Sequence, residues 1–359
     1  MYYLVYFIGL ITSPENKNKL FFTYLFSFII ILLASLRYGV GPDYFSYQYN
    51  FNSIEISNLD YLFSSGGNEI LFKLIIYFFK TLGFGYDFFN FSLALVSIIF
   101  LTKSYIRHSF NPTFSFWIFF CSFYFVWIMS GVRQGLALSI GTYYFLNFFH
   151  AKKPVKLIIV TLLLSLIHAS AIIYIPMYYF SRLKIRYINA LFLISIIISF
   201  FNVFDLINLF DYGYLISRIV FYEDYFNLET VKIFDFKSIS RFIILLGIIV
   251  LFKLPKTDDK ENIISSNLYK PFLLSYCIYF VFKFSEVTAA NLSMYGFVFL
   301  TFLIPNLLSK LKKQYKLISN LIFILFFTLF FLKSIDYMWH ASNENMPNRL
   351  YIPYNSILE

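Results

Sequence analysis

The chain has 359 residues, of which 59% are hydrophobic and 13% charged, with a mean hydropathy of +0.70. A soluble domain carries about 25% charged residues, so this composition describes an integral membrane protein and excludes a soluble enzyme. The net charge of +10 does not call for nucleic acid, because basic loops on one side of a membrane account for it.

A spanning helix needs roughly 20 apolar residues. Candidate spans in chain order are 2–12 (short), 19–36, 88–106, 113–130, 135–150, 157–180, 187–204, 239–254, 270–284, 291–308 and 317–334. The first lacks a basic leader and a small-residue cleavage site, so it reads as a retained segment. Basic clusters follow several spans: Lys103 and Arg107; Lys152, Lys153 and Lys156; Arg182, Lys184 and Arg186; Lys253, Lys256 and Lys260; Lys310, Lys312, Lys313 and Lys316. These junctions are expected in the cytoplasm. The segments about 37–87 and 205–238 are poorer in lysine and carry acids, which places them outside. No internal repeat or soluble domain is apparent, and residues 1–359 read as one transmembrane domain.

Two segments break a simple count. Residues 69–82 put Lys73 and Lys80 seven apart on one helical face, which predicts an amphipathic helix lying on the outer surface. Residues 157–180 are flanked by basic residues on both sides, so one crossing violates the charge rule. A broken helix or re-entrant hairpin around His168 resolves this, and a single tilted span is the alternative. The expected fold is an all-α polytopic membrane protein with about 11–12 transmembrane segments and two sizeable external loops.

The two cysteines, Cys121 and Cys277, fall in apolar runs, and no His/Cys/carboxylate cluster has metal-ligand spacing. Neither a disulfide framework, a metal site nor a cofactor is expected. A P-loop, a GxSxG elbow and a dinucleotide fingerprint are absent from the sequence.

Arg37, Asp43, Glu69, Arg133, His168, Arg218, Arg241, Glu286 and Arg349 remain on the outer side. Ionisable groups near hydrocarbon are costly and mark function. Arg37 and Asp43 stand six positions apart in Arg37-Tyr38-Gly39-Val40-Gly41-Pro42-Asp43-Tyr44, whose glycines and proline stop the preceding helix. Arginine presents a planar fork of donors that matches phosphate oxygens, so Arg37, Arg133 and Arg241 fit an anionic ligand such as a lipid phosphate or pyrophosphate. The plainer reading is snorkelling to headgroups. Asp43 and Glu69 can each act as general base toward a sugar hydroxyl. They can equally pair with Arg37 or Arg133, and the two roles are compatible. His168 can donate to phosphate or shuttle a proton, or simply pack. Tyr222-Glu223-Asp224-Tyr225, near Arg218, suits carbohydrate or a solvated loop.

The order of these residues resembles the EpsG-type family of polysaccharide polymerases, which includes many Wzy-type O-antigen polymerases. Four places carry the resemblance: Arg37 to Tyr44 with Tyr47 following; Glu69 heading a segment that ends near Gly83; Val132-Arg133-Gln134-Gly135-Leu136-Ala137; and Ile167-His168-Ala169-Ser170-Ala171. Tyr351-Ile352-Pro353-Tyr354 is also similar. Asn291-Leu292-Ser293-Met294-Tyr295-Gly296 lacks an arginine that the family often has there, a contact that Arg241 or Arg349 would then supply.

The resemblance implies a GT-C-like fold in the bacterial inner membrane, with its active site facing the periplasm. It implies a metal-independent glycosyltransferase that moves a growing glycan from undecaprenyl pyrophosphate to the non-reducing-end sugar of a lipid-linked repeat unit. Arg37 and Arg133, with Arg218, Arg241 and Arg349 as further candidates, would bind pyrophosphate. Asp43, or failing it Glu69, would be the base, and His168 would assist. The implied partners are the lipid-linked oligosaccharide, the bilayer and a chain-length regulator of the polysaccharide co-polymerase type, with no nucleic acid. An O-antigen ligase and a transporter or flippase of lipid-linked oligosaccharide are the alternatives.

Overall fold

Within the described residues the apolar runs are largely helical in the computed structural model, which describes residues 1–13, 18–56, 69–200, 236–254, 263–283, 285–340, 351–352 and 354–358. The protein is an all-α polytopic membrane protein. By length and composition, Tyr86–His108, Pro112–Ser130, Val287–Leu308 and Lys313–Ile335 can each cross a bilayer, and five shorter apolar helices accompany them among the described residues. Most of the outer loop expected at 205–238, with Arg218, lies outside the described residues, as does Arg349.

Contacts divide the chain into two units, Met1–Ile172 with Leu317–Glu359, and Ile173–Lys316. The first contains α1 (Tyr2–Thr12), α2 (Lys19–Ser35), α3 (Tyr44–Ser53), α4 (Ile70–Thr81), α5 (Tyr86–His108), α6 (Pro112–Phe119), α7 (Val132–His150) and α8 (Pro154–Ser165). Asn111 starts α6 by accepting from the Phe114 N–H at 3.1 Å, and Pro112 occupies its first turn. The helix then widens into a π-helix over Phe120–Ser130, a form that the sequence does not mark. Trp117, Phe116, Phe119, Phe120 and Tyr124 have no exposed surface. A helix apolar on all sides belongs at the centre of its unit, and α1 and α2 pack around this one.

The π-helix ends at Gly131, whose N–H donates to the Val126 carbonyl at 2.7 Å. Gly135, one turn into α7, permits the return: a Cβ there would lie 1.7 Å from the Trp127 carbonyl oxygen. The expected break near His168 is also present. α8 stops at Ser165, and a 3-10 turn over Ala169–Ile173 follows.

The second unit contains α9 (Tyr174–Phe180), α10 (Ile185–Ile198), α11 (Phe236–Lys253), α12 (Ile263–Val281), α13 (Glu286–Phe297) and α14 (Leu300–Leu308). α12 packs against α9, α10, α13 and α14. The run expected as one span at 291–308 falls within the candidate span Val287–Leu308, with a turn at Val298 and Phe299 between α13 and α14. Gly296 allows α13 to press on α12, since a Cβ there would meet the Pro271 carbonyl at 2.6 Å.

Candidate active site

Arg37 follows the last turn of α2, where helix carbonyls lack partners. Asn90 on α5 bridges the two: its Nδ2 donates to the Ala34 carbonyl and its Oδ1 accepts from Arg37 Nη2, each at 3.3 Å. The negative end of the α2 dipole favours a cation here. The guanidinium lies 5.7 Å from the Tyr44 ring centroid. Arg37 is only 1% exposed, and its Nε and Nη1 have no hydrogen-bond partner among the described residues. Arg37 is therefore buried rather than presented to the surface, held inward by Asn90 and the C-terminal end of α2.

Gly39 at φ 65° and Gly41 at φ 100° reverse the chain beyond Arg37, in the left-handed region that only glycine enters at no steric cost. The turn delivers Asp43 to the N-terminus of α3, where its Oδ2 accepts from Ser130 Oγ at 2.8 Å. Of the ion pairs open to Asp43 and Glu69, Asp43 makes neither among the described residues. Glu69 takes Arg133 instead.

Glu69 heads α4 at φ 138°, a region rare for a residue with a side chain. Backbone strain of this kind concentrates at functional sites. The Leu71 N–H donates to the Leu166 carbonyl at 3.1 Å, which ties the start of α4 to the break after α8. His168 Nε2 consequently lies 4.0 Å from Glu69 Oε1, and its Nδ1 shares a hydrogen bond with Ser170 Oγ at 2.6 Å.

Arg133, in the first turn of α7, pairs with Glu69 Oε2 through Nη1 and donates to the Tyr47 hydroxyl through Nε at 3.4 Å. Its guanidinium lies 5.5 Å from the Tyr47 ring centroid and 5.7 Å from that of Phe72. The side chain is 37% exposed, against 15% for Glu69 and 19% for His168. Burial raises the Tyr47 phenol above its ordinary value, and the Arg133 charge opposes this. The Asp43 and Glu69 charges also act on Tyr47, so this phenol shares one neighbourhood with both carboxylates and the arginine. Burial likewise pushes Tyr44 up to about 12.

α4 lies where the amphipathic helix is expected, and its Phe72 and Ile76 are buried. Lys80 donates to the Asn52 carbonyl at 3.0 Å and also to that of Ile54, closing the C-terminus of α3.

The structure thus gathers Asp43, Glu69, Arg133 and His168, with Arg37 behind them, in the first unit. Arg241 belongs to the second, where it lies 3.7 Å from the Tyr279 ring centroid. Asn90, Ser130 and Tyr351 escaped the sequence reading as partners of these groups. For Asn90 the signal was an amide in the middle of an apolar run, and Tyr351 lay in a run already similar to the family. Among the described residues no group of three or more His, Cys, Asp or Glu converges as a metal site.

Fold and site together define a polytopic membrane protein with an arginine–carboxylate–histidine cluster. The chain matches the EpsG family over residues 19–356, nearly its whole length, and belongs to that family. Membership supports a membrane glycosyltransferase-like polysaccharide polymerase. No curated protein and no solved structure matches the chain.

Proposed function

We propose that the protein polymerises O-antigen or a similar polysaccharide at the periplasmic face of the bacterial inner membrane, transferring a growing glycan from undecaprenyl pyrophosphate to the non-reducing-end sugar of a lipid-linked repeat unit. The observation that carries this reading is the convergence of Arg133, Glu69 and His168 from three chain-distant segments beside Asp43. In the transfer, an acceptor hydroxyl oxygen bonds to the anomeric carbon of the donor. The bond from that carbon to the phosphate oxygen breaks, and its electron pair leaves with the pyrophosphate. The hydroxyl proton passes to a carboxylate.

Arg133, the more exposed of the two arginines, takes the pyrophosphate. A preorganised cation stabilises charge that develops on a leaving group, and no metal is required for a leaving group of this quality. Arg37 adds its charge from behind, with Arg218, Arg241 and Arg349 as further anion-binding candidates. Asp43 is favoured as base over Glu69, because Glu69 is held by Arg133 whereas Asp43 pairs with no cation among the described residues and accepts from Ser130. His168 donates to the departing phosphate or relays the proton. A chain-length regulator of the polysaccharide co-polymerase type is the expected protein partner.

The test is substitution of Asp43, Glu69, Arg133 and His168 to Ala in the producing strain, followed by gel analysis of the lipopolysaccharide. Loss of long chains with retained single-repeat material supports the polymerase. Loss of the single-repeat band as well indicates a ligase, and accumulation of lipid-linked repeats on the cytoplasmic leaflet indicates a flippase.

A further inference from the structure

Tyr351 and residues 354–358 stand more than 300 residues from the turn at 37–43 in sequence, yet they lie against it. Arg37 and Ser356 face each other across an isolated antiparallel bridge. The Tyr38 N–H donates to the Asn355 carbonyl and the Ile357 N–H to the Leu36 carbonyl, each at 2.8 Å. The Tyr354 hydroxyl donates to the Leu33 carbonyl at 3.0 Å, and the Tyr351 hydroxyl to the Phe125 carbonyl of the π-helix at 2.5 Å. Tyr351 has no exposed surface, and its ring lies 5.3 Å from that of Phe125. Its Cε1 sits 3.5 Å from where a Cβ of Gly41 would stand, and Arg37 Nη1 lies 3.6 Å from the same point. Two of the accepting carbonyls, Leu33 and Leu36, lie at the C-terminal end of α2, where Asn90 already serves the Ala34 carbonyl.

A turn built on two left-handed glycines has no internal ladder to hold its shape. Asn90 holds Arg37 on one side; on the other, the Tyr38 and Ile357 bonds pin the backbone around Arg37, and the two tyrosine hydroxyls anchor the tail to α2 and the π-helix. Together they fix the backbone on both sides of Arg37, and so the start of the turn that carries Asp43. We propose that Tyr351 and residues 354–357 are positioning residues for the transfer reaction, acting through Arg37 and Asp43 and touching no substrate. This rests on the polymerase reading of those two residues.

Ile357 separates positioning from packing. Its side chain is partly exposed, so Ile357→Ala keeps the N–H and loses little packing, whereas Ile357→Pro removes the donor to Leu36. The two variants are compared in detergent or nanodiscs with a synthetic lipid-linked repeat unit. Ile357→Pro is expected to lower kcat about tenfold or more, since small displacements of reacting groups are costly. Its KM for the lipid donor and its melting temperature should stay near wild type. Ile357→Ala should retain wild-type kcat, and amide exchange over residues 36–44 should rise in the proline variant alone. Arg37→Ala and Asp43→Ala serve as references. If both references are inactive while Ile357→Pro and Tyr351→Ala keep wild-type kcat, the positioning role is overturned. If both references are fully active, the polymerase assignment of those residues fails first.

Discussion

The Leu71 N–H donates to the Leu166 carbonyl at 3.1 Å, and this single backbone bond joins the start of one helix to the broken end of another. The unwound turn before His168 leaves that carbonyl available, because a continuous helix would have used it internally. Glu69 and His168, 99 positions apart in the chain, meet as a result. Substituting Leu71 with Pro should remove the donor, separate the two side chains and abolish polymer. Leu71→Ala should leave the gel ladder intact.

Glu69 and Arg133 form one unit. Glu69→Gln leaves Arg133 without its counter-charge and Arg133→Gln strands Glu69, so each should lower in vitro turnover by about 100-fold or more, the scale for removing a preorganised charge. The double variant should be no worse than either single one. Strict additivity in a double-mutant cycle would mean that the pair does not act together.

Arg133→Lys keeps the charge but loses the planar fork lying against Tyr47 and Phe72. Turnover on the lipid-linked repeat should remain well below wild type, with membrane expression unchanged. Wild-type turnover in this variant would reduce the role of Arg133 to that of a point charge.

Asp43 accepts from Ser130 and pairs with no cation among the described residues. Asp43→Asn retains an acceptor for Ser130 and removes the basic oxygen, so it should fold normally and lose long-chain polymer. Ser130→Ala should cost much less. Equal losses in the two variants would identify Asp43 as a structural partner of Ser130 rather than a base.

Gly135→Ala would place a methyl carbon 1.7 Å from the Trp127 carbonyl oxygen. Backbone cannot yield cheaply, and overpacking of this kind costs about 1–3 kcal/mol or more. Its melting temperature in detergent should fall clearly. Lys80→Met provides the contrast: it removes the closure of α3 at the Asn52 and Ile54 carbonyls and should cost about 1 kcal/mol, with turnover largely kept.

The membrane class, the helical runs, the break near His168 and the order of the ionisable residues could all be read from the sequence. Each is a local property: hydropathy over a window, a flanking charge, a glycine that must turn. Arg37, Glu69, Arg133 and His168 were therefore recognisable as unusual, since ionisable groups beside apolar runs have no local reason to be there. Which carboxylate takes which arginine was not local. Asp43 is six positions from Arg37 yet bonds Ser130, and Glu69 crosses to Arg133 on α7. The burial of Arg37 depends on Asn90 from α5 and on a tail more than 300 residues away. Partners of that kind are chosen by packing, because a charge or a helix-end carbonyl removed from water must find compensation wherever the tertiary fold supplies it.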